Sequence, residues 1–274
     1  MSRVVCKGSK ERRWQTGICK AAAWTVVGMF GMAVPLYSAG WLRVLAEPEE
    51  VIVRMEQRFQ QQLEALESYS GLRRYAIAHP LLSEETYWVV EECFSAPEEK
   101  RFEVLAEGGS GAVQKRVFGR LLQVERETAR EAVRPQVDLS RENYQFLYLG
   151  FDASSNSYRF QAVPRGENEY LLRGTIWVDA EDFAVKRIEG EPASDHSILI
   201  KRVRFVHEFA KFGEFWFPVR HRSVTELRFL GTATLQIDYT GYQWQARSGG
   251  EGNRAVAERT RASERKAEFP GETP

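Results

Sequence analysis

Histidine is the first residue type to inspect for chemistry, because its ordinary pKa lies near neutrality and it serves both acid–base catalysis and metal binding. The chain contains His79, His196, His207 and His221. His207 and His221 fall in consecutive predicted strands joined at Gly213, so we predict that they share one face of a sheet as diagonal neighbours. No HExxH or CxxC spacing supplies further ligands. A hydrogen-bonded structural role is therefore favoured, and no metal or cofactor is expected.

Other reaction motifs are equally absent from the sequence. The run GGSG at residues 108–111 lacks the G-x-S-x-G order of a nucleophile elbow and the Lys-Ser/Thr of a phosphate loop. Carboxylates are plentiful, but a glycosidase pair is defined by a separation in space that sequence does not give. The sequence therefore predicts a protein that is not an enzyme. A hydrolase using His207 or His221 with an acid is kept as an alternative.

The strongest structural signal is the stretch GTIWVDAEDFAVKRIEGE at residues 174–191. Two alternating segments flank a short acidic turn, which is typical of a β-hairpin. Ile176 and Val178 point to one face, and Trp177 points to the other. Similar runs separated by turn residues predict an antiparallel meander. The predicted strands are Gly71–Ala78, Glu85–Ser95, Lys100–Glu107, Tyr144–Phe151, Ser157–Pro164, Tyr170–Asp179, Phe183–Glu191, Ile198–Phe212, Glu214–Leu230 and Thr232–Trp244.

Two regions interrupt or precede the strands. From Glu47 to Ser68, apolar residues recur at helical spacing behind Pro48, which predicts a helix that covers a face or an open end of the sheet. The segment Val113–Arg141 predicts one or two short helices and then a loop at Pro135. These helices either fold over the mouth of the sheet or form a surface connection.

The two ends of the chain differ from its body. Residues 1–46 contain seven bases and one acid, which leaves 31 bases and 37 acids, a formal charge of −6, for residues 47–274. This acidic body argues against a nucleic-acid partner. The basic start and the uncharged run at 21–42 predict an export signal over residues 1–46, with the body in the periplasm. The alternative is an inner-membrane anchor at 21–42.

The composition of the last residues predicts a disordered tail over 246–274, since it offers few large apolar groups to bury. Of the three cysteines, Cys6 and Cys19 lie in the leader, so an exported body would contain Cys93 without an internal disulfide.

Three motifs carry a family resemblance. They are the G-x-I-W-V-D hairpin at Gly174–Asp179, the K-F-G-x-F-W-F-P turn at Lys211–Pro218 and the T-L-x-I-D-Y strand at Thr234–Tyr239. Together with the predicted helix, most of residues 49–244 resembles the LolA/LolB-type superfamily of outer membrane lipoprotein-sorting carriers. The resemblance implies an α+β fold, predominantly antiparallel β: a half-open β-barrel over residues 47–245, covered by an N-terminal helix and short lid helices.

The resemblance also implies a hydrophobic cavity that holds lipid or lipoprotein acyl chains, with an inner-membrane transporter or another envelope protein as a partner. We predict a lining by Trp177, Phe205, Phe209, Phe229 and Ile237. On patterning alone, an ordinary core filled by side chains is favoured over an open lining. An envelope sensor or protein-interaction module is the alternative function.

Overall fold

The computed structural model describes residues 45–194 and 199–247. The predicted signal or anchor over residues 1–46 and the predicted tail over 246–274 lie almost wholly outside these ranges and stay predictions. Among the helices that are described, none has the length and hydropathy needed to cross a bilayer.

The first element is α1, which spans Pro48–Ala65. Pro48 occupies the first turn, where a missing N–H costs nothing, and Glu49 and Glu50 place negative charge at the positive end of the helix dipole. Val51, Ile52 and Met55 are buried on one side. The helix predicted over 47–68 is therefore confirmed, although it ends three residues earlier because Leu66 already adopts an extended conformation.

Ten strands follow within the described residues, and each predicted strand is present. Their bounds are β1 Leu66–Ala78, β2 Thr86–Ser95, β3 Glu99–Gly108, β4 Tyr144–Asp152, β5 Ser157–Pro164, β6 Leu172–Asp179, β7 Val185–Pro192, β8 Ile200–Phe212, β9 Phe215–Leu227 and β10 Gly231–Ala246.

All ten strands form one antiparallel sheet in the order β3-β2-β1-β10-β9-β8-β7-β6-β5-β4. Every neighbour is the next strand along the chain except the pair β1–β10, which joins the two ends of the meander. The sheet is curved, and β3 and β4 form its edges instead of pairing with each other. The predicted half-open barrel is confirmed.

A second helical segment connects the two edge strands. It consists of α2 (Gly111–Val113), a π-helical turn (Gln114–Phe118) and α3 (Gly119–Thr128), followed by a 3-10 turn at Arg134–Gln136 around Pro135. Its buried residues Phe118 and Leu122 pack on Tyr75 and Ile237. The segment therefore folds over the sheet, in agreement with the first of the two predicted alternatives.

The side chains of the sheet alternate between a covered face, which carries the two helical segments, and an outer face. Ile176 and Val178 are fully buried on the covered face, whereas Trp177 between them is half-buried on the outer face. The covered face is thus shared by two roofs, α1 over one part and the second helical segment over the other.

Candidate functional site

An apolar cavity of about 320 Å³ lies between α1 and strands β6 to β8. Most of its wall is aliphatic or aromatic, and the charged and amide groups in the wall are confined to Arg58, Gln62 and Asp138. The apolar lining consists of Met55, Phe59, Val137, Leu139, Tyr144, Tyr170, Leu172, Ala184, Val185, Ile188, Phe209 and Trp216.

The spacing of apolar residues on α1 explains why space remains beneath it. Val51 and Met55 are buried against the sheet, but Phe59, one helical turn further on, is 39% exposed although it points into the cavity wall. A large apolar side chain left partly uncovered beside a cavity loses the packing contacts that a filled core would supply. The C-terminal half of α1 therefore roofs the sheet without sealing to it.

Two of the polar groups in the wall are occupied by backbone partners. Gln62 bonds to Trp216 in both directions, accepting from its backbone N–H at 2.8 Å and donating to its carbonyl oxygen at 3.0 Å. Arg58 donates to the carbonyl oxygen of Glu214. These bonds fasten α1 to the start of β9. They also leave the cavity with mainly apolar surface to offer a ligand.

The third polar group, Asp138, belongs to the loop that closes the cavity beside α1. Its Oδ1 accepts a hydrogen bond from Asn143 at 2.9 Å, and Asn143 also donates to the carbonyl oxygens of Asp138 and Pro135. Burial raises the pKa of Asp138, against the opposing effect of its bonds with Ser140 and Asn143. The loop is therefore held in shape by its own hydrogen bonds.

A vestibule of about 550 Å³ adjoins the cavity and shares Phe59, Asp138 and Leu139 with it. Its rim carries an ion pair between α1 and the loop: the guanidinium of Arg141 contacts the Glu56 carboxylate at 2.8 Å, and the Arg141 backbone N–H donates to the same carboxylate. The vestibule therefore has charged groups on its rim and shares the apolar side chains of Phe59 and Leu139 with the cavity wall.

The structure separates the five residues that were predicted to line a cavity. Phe209 lines it. Ile237 is buried under the second helical segment, packed in a filled cluster with Phe118 and Leu122. Phe205 lies on the covered face, half-buried, with its ring 5.8 Å from that of His221.

Trp177 and Phe229 lie away from the cavity. The Trp177 ring is on the outer face, where the guanidinium of Arg187 sits 5.4 Å from its centroid. Phe229 is 86% exposed at the tip of the β9–β10 hairpin. Half of the lining residues that the prediction missed come from α1 and from the 137–139 loop, and the other half come from the strands and the turns between them. The helical recurrence of Met55 and Phe59 signalled the first group, whereas no pattern signalled the loop.

The two strand histidines lie directly opposite each other instead of diagonally. The turn contains Glu214 as well as Gly213, so Phe212 pairs with Phe215, and a register shift between Glu208 and Phe209 adds one further residue. Together these two differences bring His207 level with His221. Their rings are 5.3 Å apart, and His207 also stacks 4.5 Å from Phe209 and 6.1 Å from Tyr239.

Aromatic and aliphatic neighbours disfavour the charged form of both histidines. Burial, assisted by His221, lowers the pKa of His207 to about 3, and burial lowers that of His221 to about 4. Neither ring has a hydrogen bond to a carboxylate within the described residues, and no group of three metal-ligating side chains occurs there. A structural role fits this geometry.

Over the other half of the covered face, ion pairs hold the second helical segment to the sheet. Arg73 on β1 contacts Glu92 on β2 and Glu125 on α3, and Lys100 on β3 contacts the same two carboxylates at 3.0 and 2.5 Å. Burial alone would raise the pKa of Glu125, but Lys100 and Arg73 outweigh it and hold that pKa well below its ordinary value. Tyr69 donates to Glu92 at 2.7 Å. This buried charge network ties the second helical segment to three strands.

Several solved structures are similar to the chain at low sequence identity. An outer membrane lipoprotein-sorting protein domain from Vibrio parahaemolyticus is 9% identical with a TM-score of 0.39, over 77% of this chain and 98% of that one. A LolA superfamily protein from Nitrosomonas europaea is 10% identical with a TM-score of 0.40, over 70% and 93%. A DUF1329 family protein from Desulfovibrio piger is 14% identical with a TM-score of 0.39, over 74% and 92%.

Two of these proteins carry the name of the superfamily that the sequence resembles, and each match is one of structure only at low identity. At these identities and TM-scores the likeness carries no argument about function. No protein-family model matches the chain, and no curated protein matches its sequence.

Proposed function

We propose that this protein is an exported, non-catalytic carrier that binds an acyl chain of a lipid or lipoprotein in the cavity beneath α1. The observation that supports the proposal is the cavity itself: an apolar space of about 320 Å³ whose few polar groups are engaged with protein atoms. Ligand pockets in proteins span roughly 300–1,000 Å³ and are mostly apolar. An unbranched hydrocarbon chain matches this wall better than a polar solute does.

The vestibule supports the same ligand. A chain that passes from the cavity past Phe59 meets the charged rim of Glu56 and Arg141, so a polar headgroup would stay in solvent while the tail is buried. Each buried methylene contributes about 0.8 kcal/mol, so about ten of them give about 8 kcal/mol before the cost of ordering the chain. This magnitude corresponds to affinity no tighter than about micromolar, which suits a carrier that must also release.

The proposed transfer requires no bond making, because apolar burial alone holds and releases the chain. A carrier of this kind receives its cargo from one membrane or protein and passes it to another, so an inner-membrane transporter or an envelope protein is the proposed partner, and the periplasm is the proposed location.

Native-state extraction tests the proposal directly. We expect protein purified from its own envelope without detergent to yield lipid or lipoprotein acyl chains on solvent extraction and mass spectrometry. Delipidated protein should bind a fluorescent fatty acid with one site. Protein that carries no lipid and takes up none would contradict the proposal.

A filling variant locates the site. Val185→Phe places extra bulk into the cavity and should abolish fatty-acid binding while the thermal unfolding midpoint changes little. Val224→Phe, at a half-buried position on the outer face, is the matched control and should bind as the natural chain does. Equal fatty-acid binding by the two variants would show that the fatty acid binds outside this cavity.

A further inference from the structure

Among the large apolar side chains that the structure describes, the three most exposed lie at one end of the sheet. They are Phe229, Leu81 and Leu199, which are 86%, 71% and 59% exposed. Phe229 lies in the turn between β9 and β10, Leu199 directly precedes β8, and Leu81 follows β1. Antiparallel pairing places the ends of β1 and β9 beside the starts of β8 and β10, so these three connections lie at the same end. Exposed apolar groups that gather in this way mark a contact surface.

Two of these connections touch each other. The backbone N–H of Arg228 donates to the carbonyl oxygen of Leu199 at 3.0 Å, and Leu230, beside Phe229, is 50% exposed. We call Leu199, Phe229 and Leu230 the apolar tip. The strands that carry it continue past their neighbours: β10 has three residues, 231–233, beyond its last pair with β1, and β8 has five, 200–204, beyond its last pair with β7. At about 3.3 Å per residue, the hairpin extends about 10 Å beyond its last pair with β1.

The strands next to the apolar tip are basic, although the body of the chain is acidic. Residues 199–204 and 224–233 contain four bases and one acid, namely Lys201, Arg202, Arg204, Arg228 and Glu226. All four bases are exposed. Glu226 is shared between Lys201 at 3.5 Å and Arg204 at 3.3 Å, and Glu191 of β7 lies 3.6 Å from Arg202. Among the described residues, no carboxylate forms an ion pair with Arg228. Positive charge therefore remains beside the apolar side chains.

A bilayer surface that contains anionic phospholipid matches both features. Apolar side chains of a peripheral protein are buried at the boundary between headgroups and acyl chains, while nearby bases are attracted to anionic headgroups. At 86% exposure, the Phe229 ring projects from the hairpin and does not line a groove that could receive a partner's side chain. Entry of the tip into a fluid layer suits this geometry better than docking of a protein segment.

We propose that the apolar tip docks this protein on an anionic phospholipid bilayer, with Leu199, Phe229 and Leu230 inserted at the interface and the four bases against the headgroups. None of these residues lines the cavity beneath α1. The membrane contact therefore goes beyond the proposed carrier function and does not depend on it.

Co-sedimentation with vesicles tests the proposal on protein purified from its own envelope. The protein should bind vesicles of phosphatidylcholine mixed with phosphatidylglycerol more tightly than vesicles of phosphatidylcholine alone. The double variant Phe229→Ala, Leu230→Ala should bind the mixed vesicles about tenfold or more weakly. The matched control Leu147→Ala, Leu149→Ala removes two exposed apolar side chains from β4 and should bind as the natural chain does.

The charge contribution is tested separately. Arg228→Gln should weaken binding to the mixed vesicles about fivefold, because one base near an anionic surface is lost, and it should change little on phosphatidylcholine alone. Hydrogen exchange locates the contact. The amides of residues 228–230 should gain protection when mixed vesicles are added, and those of the turn at residues 213–214, at the opposite end of β8 and β9, should not.

Failure to bind vesicles overturns the proposal, and so do equal losses in the two double variants. Protection of residues 228–230 that appears only when a different protein is added also overturns it. Val185→Phe, which fills the cavity, should retain vesicle binding, and its loss there would assign that binding to the cavity instead. Protein that binds fatty acid but no vesicles contradicts the membrane contact alone, and protein that binds vesicles but no fatty acid contradicts the carrier function alone.

Discussion

The two helical elements that cover the sheet, α1 and the second helical segment, are held against it by different interactions. The second helical segment presents Phe118 and Leu122 to the sheet and closes against it through the buried network of Arg73, Glu92, Lys100 and Glu125. The helix α1 presents Phe59 and Met55 to the sheet, and the bonds it makes there are to backbone atoms at one end. Under the second helical segment, which forms the filled half, buried side chains and ion pairs connect the segment to the sheet. Under α1, a cavity remains.

Under the proposed function, this difference divides stability and ligand binding between two parts of one curved sheet. A buried ion pair whose partners are all in place holds its elements in one arrangement, because removing any member leaves an unpaired charge in the interior. An apolar wall imposes no such requirement, so it suits the acyl chain of variable length that we propose as the ligand. The filled half is therefore expected to govern stability and the cavity half to govern binding.

The largest effect is expected from the charge network. Arg73→Ala leaves the nearly inaccessible Glu92 and its neighbour Glu125 to share the charge of Lys100, and it should lower the free energy of unfolding by about 3–5 kcal/mol. The matched control is Arg74→Ala, the next residue on β1, whose ion pair with Glu85 is exposed and contributes less than about 1 kcal/mol. Urea denaturation of both variants measures the difference. Similar losses for both would show that the network does not hold the filled half.

A pair of phenylalanines compares the two roofs directly. Phe118→Ala removes a fully buried ring from the filled half and should cost about 3–5 kcal/mol, while leaving fatty-acid affinity per folded molecule unchanged. Phe59→Ala removes a partly exposed ring from the cavity wall, so it should cost about 1 kcal/mol or less and weaken binding. Urea denaturation and fatty-acid titration of the two variants measure both quantities. Reversed results would mean that stability and binding are not divided between the roofs in this way.

The smallest effect concerns pH, at the boundary where His207 stacks between Phe209 of the cavity wall and Tyr239 of the filled half. Because the folded-state pKa values of His207 and His221, about 3 and 4, lie below the unfolded value, the unfolded chain takes up protons first as pH falls. Their contribution is complete above about pH 6.5 and is progressively lost below it, by about 1–2 kcal/mol per histidine between pH 7 and 5.

Unfolding free energies at pH 7 and pH 5 test this expectation. The double variant His207→Phe, His221→Phe should lose less stability over this interval than the natural chain does. Equal losses would show that the histidines do not carry the acid sensitivity.

Much of the fold could be predicted from local patterns. The strand Ser157–Pro164 was predicted with the bounds that the structure has, because alternation and flanking turn residues fix a short strand locally. By contrast, β1 was predicted to start at Gly71, whereas it begins at Leu66. Residues 66–70 continue a helical composition, and their pairing with residues 243–246 of β10 and 93–95 of β2 decides their state.

The site was less predictable. Trp177 was predicted to line a cavity, but the alternation of its strand is equally consistent with either face pointing inward, and burial of Ile176 and Val178 turns Trp177 outward. The charges of Arg73 and Glu92 look like ordinary surface charges in sequence. They are buried because α3, whose Glu125 is 52 residues from Arg73 along the chain, covers the neighbouring strands β1 and β2 there.

The sequence by itself determined the elements: the period of two in the strands, the helical stripe behind Pro48, and the turns that make the sheet antiparallel. These follow from interactions between residues near one another along the chain. Only the tertiary structure decided which face is covered, that His207 stands level with His221, and that one roof is filled while the other encloses a cavity. Packing and register depend on contacts between distant residues, and a single added residue at a bulge changes every partner beyond it.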